Sequence, residues 1–193
     1  MSDLVLIFFS ACLVNNLVLD QLVGVCPAVT LSKRLDVAAL IAVATVAVAA
    51  IAAPVAWLLR SQVLEPLDVP HLELIGLVVL TALIAVAGAA VVRRRRPAMA
   101  AQVEALVPLL LGNCTMLGVA LLAVDQTHGF FAALFFGLGA GVGFALVVSL
   151  LFALQDRSAA ADVPLPLRGA PVALLTLALL SMAFAGFTGL TGR

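Results

Sequence analysis

LVLIFFSACLVNNLVLDQLVGVCPAVTL, residues Leu4 to Leu31, is apolar enough for a membrane and too long and too polar for a plain span. As one straight helix at about 1.5 Å per residue it would run roughly 40 Å, whereas a bilayer core is about 30 Å thick. Asn15, Asn16, Asp20 and Gln21 lie at depth within it, and the breakers Gly24 and Pro27 follow. A second run, Ala98 to Val124, repeats the pattern with Glu104 and Asn113 at depth and Pro108 and Gly112 as breakers. Long, polar and interrupted apolar runs are the signature of discontinuous membrane helices. Backbone freed by such a break is costly in lipid, so these segments must face protein, cofactor or a wet cavity.

The rest of the chain agrees with a membrane as solvent. Of 193 residues, 65% are hydrophobic and 10% are charged, and mean hydropathy is +1.28. A soluble domain carries about 25% charged residues, so a surface built from this chain would aggregate in water. Formal net charge is zero and the basic residues form no stripe with interleaved aromatics, which argues against nucleic acid as a partner and leaves the lipid bilayer. Four further runs are long enough to span: Val37–Leu59, Leu72–Val92, Phe130–Leu154 and Ala170–Leu190. The expectation is an all-α integral membrane protein of six transmembrane helices, with short loops and no extramembrane domain. The first run lacks a positive n-region and a small-x-small site, so it reads as mature structure rather than a cleaved signal.

Basic residues set the orientation. Lys33, Arg34, Arg93, Arg94, Arg95, Arg96, Arg157 and Arg168 fall in loops one, three and five, against Arg60 and Arg193 on the other face. Loops rich in Lys and Arg stay cytoplasmic, so both termini are expected on the periplasmic side. Arg93–Arg96 reads as a topology anchor in preference to an anionic-lipid site. Three helices per half would insert residues 1–97 and 98–193 in opposite senses, as two inverted three-helix repeats with the first helix of each interrupted. Arg60-Ser61 followed by Asp68-Val69-Pro70, and Arg157-Ser158 followed by Asp162-Val163-Pro164, occupy matching places in the two halves.

The three cysteines sort by this symmetry. Cys26 lies in Gly24-Val25-Cys26-Pro27 and Cys114 in Gly112-Asn113-Cys114, each within the interrupted segment of its half. A two-fold pseudo-axis in the membrane plane would bring those segments together. Cys12 has no counterpart and sits in a plain apolar turn. An odd number of cysteines in apolar runs is not a disulfide framework. Gly137, Gly139, Gly141 and Gly143 form overlapping G-x-x-x-G pairs; inside a span they serve close helix packing, since a phosphate loop needs a strand-to-helix turn. Ala185, Gly186 and Gly189 repeat the theme in the last helix. His71 and His128 read as solvated loop residues, and Trp57 as an interfacial anchor. Asp20 has two readings, a member of an ion path or a carboxylate neutralised or snorkelling at the wet break; Glu104 reads as an edge residue.

Several segments resemble the A-subunit family of Rnf electron-transport complexes. Leu13-Val14-Asn15-Asn16, Gly24-Val25-Cys26-Pro27 and Ser32-Lys33-Arg34-Leu35 are similar to its opening. Asn113-Cys114, Leu117-Gly118-Val119-Ala120-Leu121-Leu122, Gly143-Phe144-Ala145-Leu146-Val147 and Ala161-Asp162-Val163-Pro164 with Arg168-Gly169 continue the likeness in order along the full chain. The family is in turn similar to one membrane component, the E component, of the sodium-pumping NADH:quinone reductase. The resemblance implies a membrane subunit of an oxidoreductase of the bacterial inner membrane. Such a complex couples electron transfer between NAD(H) and ferredoxin to movement of Na+ or H+. The subunit would not be catalytic alone. The resemblance further implies a pseudo-symmetric heterodimer with the related Rnf E component, beside the B, C, D and G components. That pair would hold one intramembrane [2Fe–2S] cluster on four cysteines, of which Cys26 and Cys114 are this chain's two. Asp20-Gln21 and Leu111-Gly112 depart from the family pattern, so no ion-path role is carried over from it.

Without the resemblance, the six spans and two breaks favour an inverted-repeat secondary transporter binding its substrate at Asn15, Asn16, Asp20 and Asn113. The same four residues are the candidates for an ion path. Two cysteines at matching breaks separate the readings, because thiolates suit iron–sulfur ligation.

Overall fold

The computed structural model describes residues 2–21, 23–24, 35–64, 66, 72–95, 100–127, 129–159 and 169–188. Eight α-helices account for most of them: α1 Ser2–Phe9, α2 Leu17–Asp20, α3 Leu35–Leu59, α4 Glu73–Arg95, α5 Ala100–Leu111, α6 Cys114–Gln126, α7 Phe130–Ala159 and α8 Ala170–Thr188. Wider π-helical turns extend α1 through Ser10–Val14 and α3 through Arg60–Leu64. No strand occurs among the described residues. Four segments of the described residues are long and apolar enough to cross a bilayer: Ala38–Leu64, Glu73–Arg95, Val107–Gln126 and Phe130–Ser158, with mean hydropathy of 2.0 to 2.7. Leu4–Asp20 and Ala170–Gly186 are apolar but shorter. The long first run expected over residues 4–31 is therefore described only to its first break and just beyond, since 25–34 lie outside the described residues.

The centre of the molecule is α7, and its glycines explain why. A side chain at Gly137 would begin 2.5 Å from the Ala49 carbonyl oxygen, and one at Gly141 would begin 2.8 Å from Val46 Cα. These two face α3, which answers with the fully buried Ala49, Ala52, Ala53 and Ala56. Gly139 and Gly143 face the opposite way, onto the first helix: their Cβ positions fall 2.5 Å from the Phe8 carbonyl and 2.8 Å from the Cys12 carbonyl. The alternating glycines are thus two G-x-x-x-G pairs, each letting a different helix approach α7 to backbone contact, which is where dispersion replaces the missing hydrophobic drive in lipid. Phe144, Val147 and Leu151 continue α7 into a core with Val18, Ile41 and Leu177.

The outer helices are less covered. α4 exposes Leu74, Ile75, Val79 and Leu83, faces suited to lipid or another protein. Its buried Thr81 hydroxyl lies within hydrogen-bond reach of the Leu77 and Val78 carbonyls, so a polar group in apolar surroundings is satisfied within its own helix. In α8, no described residue lies within 4 Å of the side chain that Gly186 lacks, so the close packing expected of its small residues is not seen at Gly186 among the described residues. An ion pair, Arg60 to Glu73 at 3.4 Å, closes the α3–α4 connection.

Candidate functional site: two helix breaks beside one glycine

The first break lies earlier than its glycine and proline suggest. The π turn ends at Asn15, whose N–H donates to the Ser10 carbonyl at 2.7 Å. Asn16 then leaves the helical region at φ −71°, ψ 112° and caps α2, its Oδ1 accepting the Val18 N–H at 3.1 Å. Its Nδ2 donates to the Cys12 carbonyl at 2.9 Å. The apolar turn expected around Cys12 is a buried π turn; the Cys12 backbone helps close the break, and its buried sulfur is incidental to that. Downstream, α2 ends within one turn of its start. The freed Leu19 carbonyl accepts the Ser181 hydroxyl of α8 at 2.7 Å, and Gly24 sits in a turn at φ +88°. Gly24 therefore does bend the chain, eight residues beyond Asn16.

The second break repeats the first in cap geometry. α5 carries Pro108 within it and closes with the Gly112 N–H on the Pro108 carbonyl at 3.0 Å. Asn113, at φ −81°, ψ 99°, caps α6 by accepting the Thr115 N–H at 3.1 Å. Asn is among the best N-cap residues, worth about 1 kcal/mol over Ala, and here it starts both half-helices. The first break and the turn that follows it lie against adjacent residues of α7: Asn16 Nδ2 lies where a Cβ on Gly143 would collide, and the Phe144 ring lies 3.3 Å from the Cβ position of Gly24.

Cys114 is the first residue of α6 and is exposed on the surface of the chain. Its sulfur accepts the Gly24 N–H at 3.2 Å, a bond between residues 90 apart in sequence. The segment that leads into Cys26 is thereby joined to Cys114, while Cys26 itself lies outside the described residues. Thr115, fully buried, walls the far side of Gly24, where a Cβ would overlap its Oγ1. Neither Asn113 Nδ2 nor Thr115 Oγ1 finds a hydrogen-bond partner among the described residues, although both are buried. No three His, Cys, Asp or Glu side chains converge among those residues.

The four candidate ion-path residues are not gathered at one place. Asn16 and Asn113 are buried caps. Asn15 opens onto a crevice of about 240 Å³ shared with Leu6, Ser10, Gln126, Thr127 and Phe136. Asp20 is exposed at the end of α2. Sequence reading missed Thr115 and Ser181, which bind the site through contacts distant in sequence. The one local signal was the Asn-x-Thr spacing, which sets a capping side chain under the N–H two residues on. His71 and His128 lie outside the described residues.

Similarity to known proteins places this architecture. Residues 4–191 match the family model described as "Rnf-Nqr subunit, membrane protein". Curated relatives, each named as the A component of an ion-translocating oxidoreductase complex, are similar to the chain throughout. The protein from Pseudoalteromonas translucida is 41% identical over 190 residues, 98% of each chain. Those from Vibrio campbellii and Yersinia enterocolitica are 39% and 40% identical over the same length, covering 98% of this chain and 99% and 98% of theirs. A model match over nearly the whole length and this level of identity carry one conclusion: the chain belongs to the Rnf-Nqr family of membrane subunits.

Proposed function

We propose that this chain is a membrane subunit of an ion-translocating oxidoreductase complex, and that within it Cys26 and Cys114 supply two of the four cysteine ligands of a [2Fe–2S] cluster. The observation that carries the reading is the surroundings of Cys114. An exposed sulfur at the start of a helix, with a backbone N–H directed at it, is placed as a metal-ligating sulfur needs to be. Cys26 follows Gly24 by two residues in sequence, so the bond ties Cys114 to the chain just ahead of the second cysteine of this reading. A [2Fe–2S] centre takes four thiolates, and Cys12 is buried against α7 with its carbonyl engaged. The remaining two ligands therefore belong to a second chain. When bound, the cluster would supply a one-electron site within the membrane; this chain would hold it on Cys26 and Cys114 and direct the Gly24 N–H at the Cys114 sulfur.

The partner is the homologous Rnf E component, in a pseudo-symmetric heterodimer, beside the B, C, D and G components. The complex couples electron transfer between NAD(H) and ferredoxin to translocation of Na+ or H+ across the bacterial inner membrane. The pairing draws on six spans arranged as two inverted repeats. In support, each half begins with an Asn-capped break, at Asn16 and Asn113, and Ser61 and Ser158, near the ends of the second helices, both return their hydroxyls to their own helices. Both termini are periplasmic. An inverted-repeat transporter draws on one observation, the crevice at Asn15, but it gives no role to the Gly24–Cys114 bond.

Purification of this chain alone and together with its partner tests the reading. Alone it should be iron-free; with the partner it should carry two irons per pair. A monodisperse single chain with a complete cluster would overturn the proposal. A reporter fused at Arg193 should be active only outside the cytoplasm, and activity only inside would reverse the orientation.

A further inference from the structure

We propose that Gly24 is the positioning residue of Cys114: its peptide N–H, pressed against the sulfur by Thr115, raises the electron affinity of the cluster that this sulfur ligates. The inference rests on the cluster reading above and adds a determinant of its potential. Three features of Gly24 carry it. On one side its N–H reaches Cys114 Sγ at 3.2 Å. Its φ of +88° is open to glycine and strained for any side chain, so the N–H is aimed by a conformation that no other residue holds cheaply. On the other side a Cβ would overlap Thr115 Oγ1 and lie 3.2 Å from Thr115 Cβ and 3.3 Å from the Phe144 ring.

Thr115 cannot easily yield. It is fully buried, β-branched and therefore stiff at χ1, and its own N–H is held by the Asn113 cap. Cys114 and Thr115 are consecutive on the first turn of α6, so one helix end presents both the sulfur and the wall. Gly24 sits between the two, with its N–H on the sulfur and its α-carbon on the wall. A hydrogen bond to a ligating thiolate withdraws negative charge from the cluster and favours the form with one more electron, so its loss lowers the reduction potential.

The test is an EPR-monitored redox titration of the whole purified complex. Gly24→Ala should lower the cluster midpoint by about 59 mV, a tenfold change in the reduction equilibrium of a one-electron couple. Thr115→Ala, which removes the wall and keeps the glycine, should shift it the same way by less. With glycine nitrogen labelled as ¹⁵N, the reduced wild-type cluster should show a hyperfine coupling that Gly24→Ala removes. If Gly24→Ala does not assemble, Thr115→Ala decides alone: a lowered midpoint supports the proposal and an unchanged one overturns it. An unchanged midpoint in both variants, or a coupling that survives Gly24→Ala, also overturns it. The reading beneath it fails separately, if the cluster signal persists in Cys114→Ser.

Discussion

The two interrupted helices start from the same device and finish it differently. Asn16 and Asn113 adopt nearly the same backbone angles, and each accepts the N–H two residues ahead at 3.1 Å. In the first break the other end of the amide is also used, on the Cys12 carbonyl. That carbonyl is within reach because the π turn over Ser10–Val14 bonds Asn15 back to Ser10 and so shifts the usual acceptor pattern by one residue. In the second break α5 closes more tightly, with the Asn113 N–H on Leu110, and the amide Nδ2 is buried without an acceptor among the described residues. A buried unsatisfied donor costs about 1–3 kcal/mol, which is tolerable where a partner group completes it on assembly. Among the described residues the first break thus satisfies its own capping amide, and the second leaves a buried donor open to a further group. The second is also the one that carries the exposed cysteine.

The largest expected effect comes from crowding the first break. Gly143→Val would push against the Cys12 carbonyl and Asn16 Nδ2 at once, and should cost about 3 kcal/mol or prevent assembly. Thermal unfolding of the detergent-solubilised complex reads this, and a wild-type midpoint would mean the helices do not meet there. Removing the caps sharpens the comparison. Asn16→Ala loses a cap and strands a carbonyl, about 2 kcal/mol, whereas Asn113→Ala loses a cap alone, about 1 kcal/mol. Equal losses in the isolated chain would erase the distinction between the breaks. Gly186→Ala should leave the same unfolding midpoint unmoved if that face of α8 is open in the complex, and a drop would locate a partner helix there. The smallest structural effect is expected at Asp20. Its carboxylate is exposed, so Asp20→Asn should leave assembly and the cluster signal intact. Ion flux measured in proteoliposomes at an unchanged electron-transfer rate should fall if Asp20 lines the ion path, and an unchanged flux removes it from that path.

Much of this is legible in the sequence. Length, hydropathy and the polar residues at depth announce interrupted membrane helices, and the alternating glycines announce close packing. The seat of the first break is not legible from breakers, because Gly24 and Pro27 are stronger punctuation than Asn-Asn in an apolar run. Yet the break forms where a side chain can cap the new helix, and Asn16 can do that while Gly24 cannot. Which helices the glycines serve is hidden too, since Gly137 and Gly139 look alike in sequence and face opposite neighbours. The Gly24–Cys114 bond joins the two halves of the chain, and nothing local encodes it. The small residues of α8 look like the glycines of α7, and Gly186 differs from them because no described part of this chain packs against it.

The proposal that the exposed Cys114 at the second break ligates a shared cluster is tested most directly by EPR of the purified complex with single cysteine replacements. Cys114→Ser and Cys26→Ser should each abolish the reduced [2Fe–2S] signal, while Cys12→Ser, whose backbone rather than sulfur closes the first break, should retain it. A signal that survives in either of the first two variants would contradict the account.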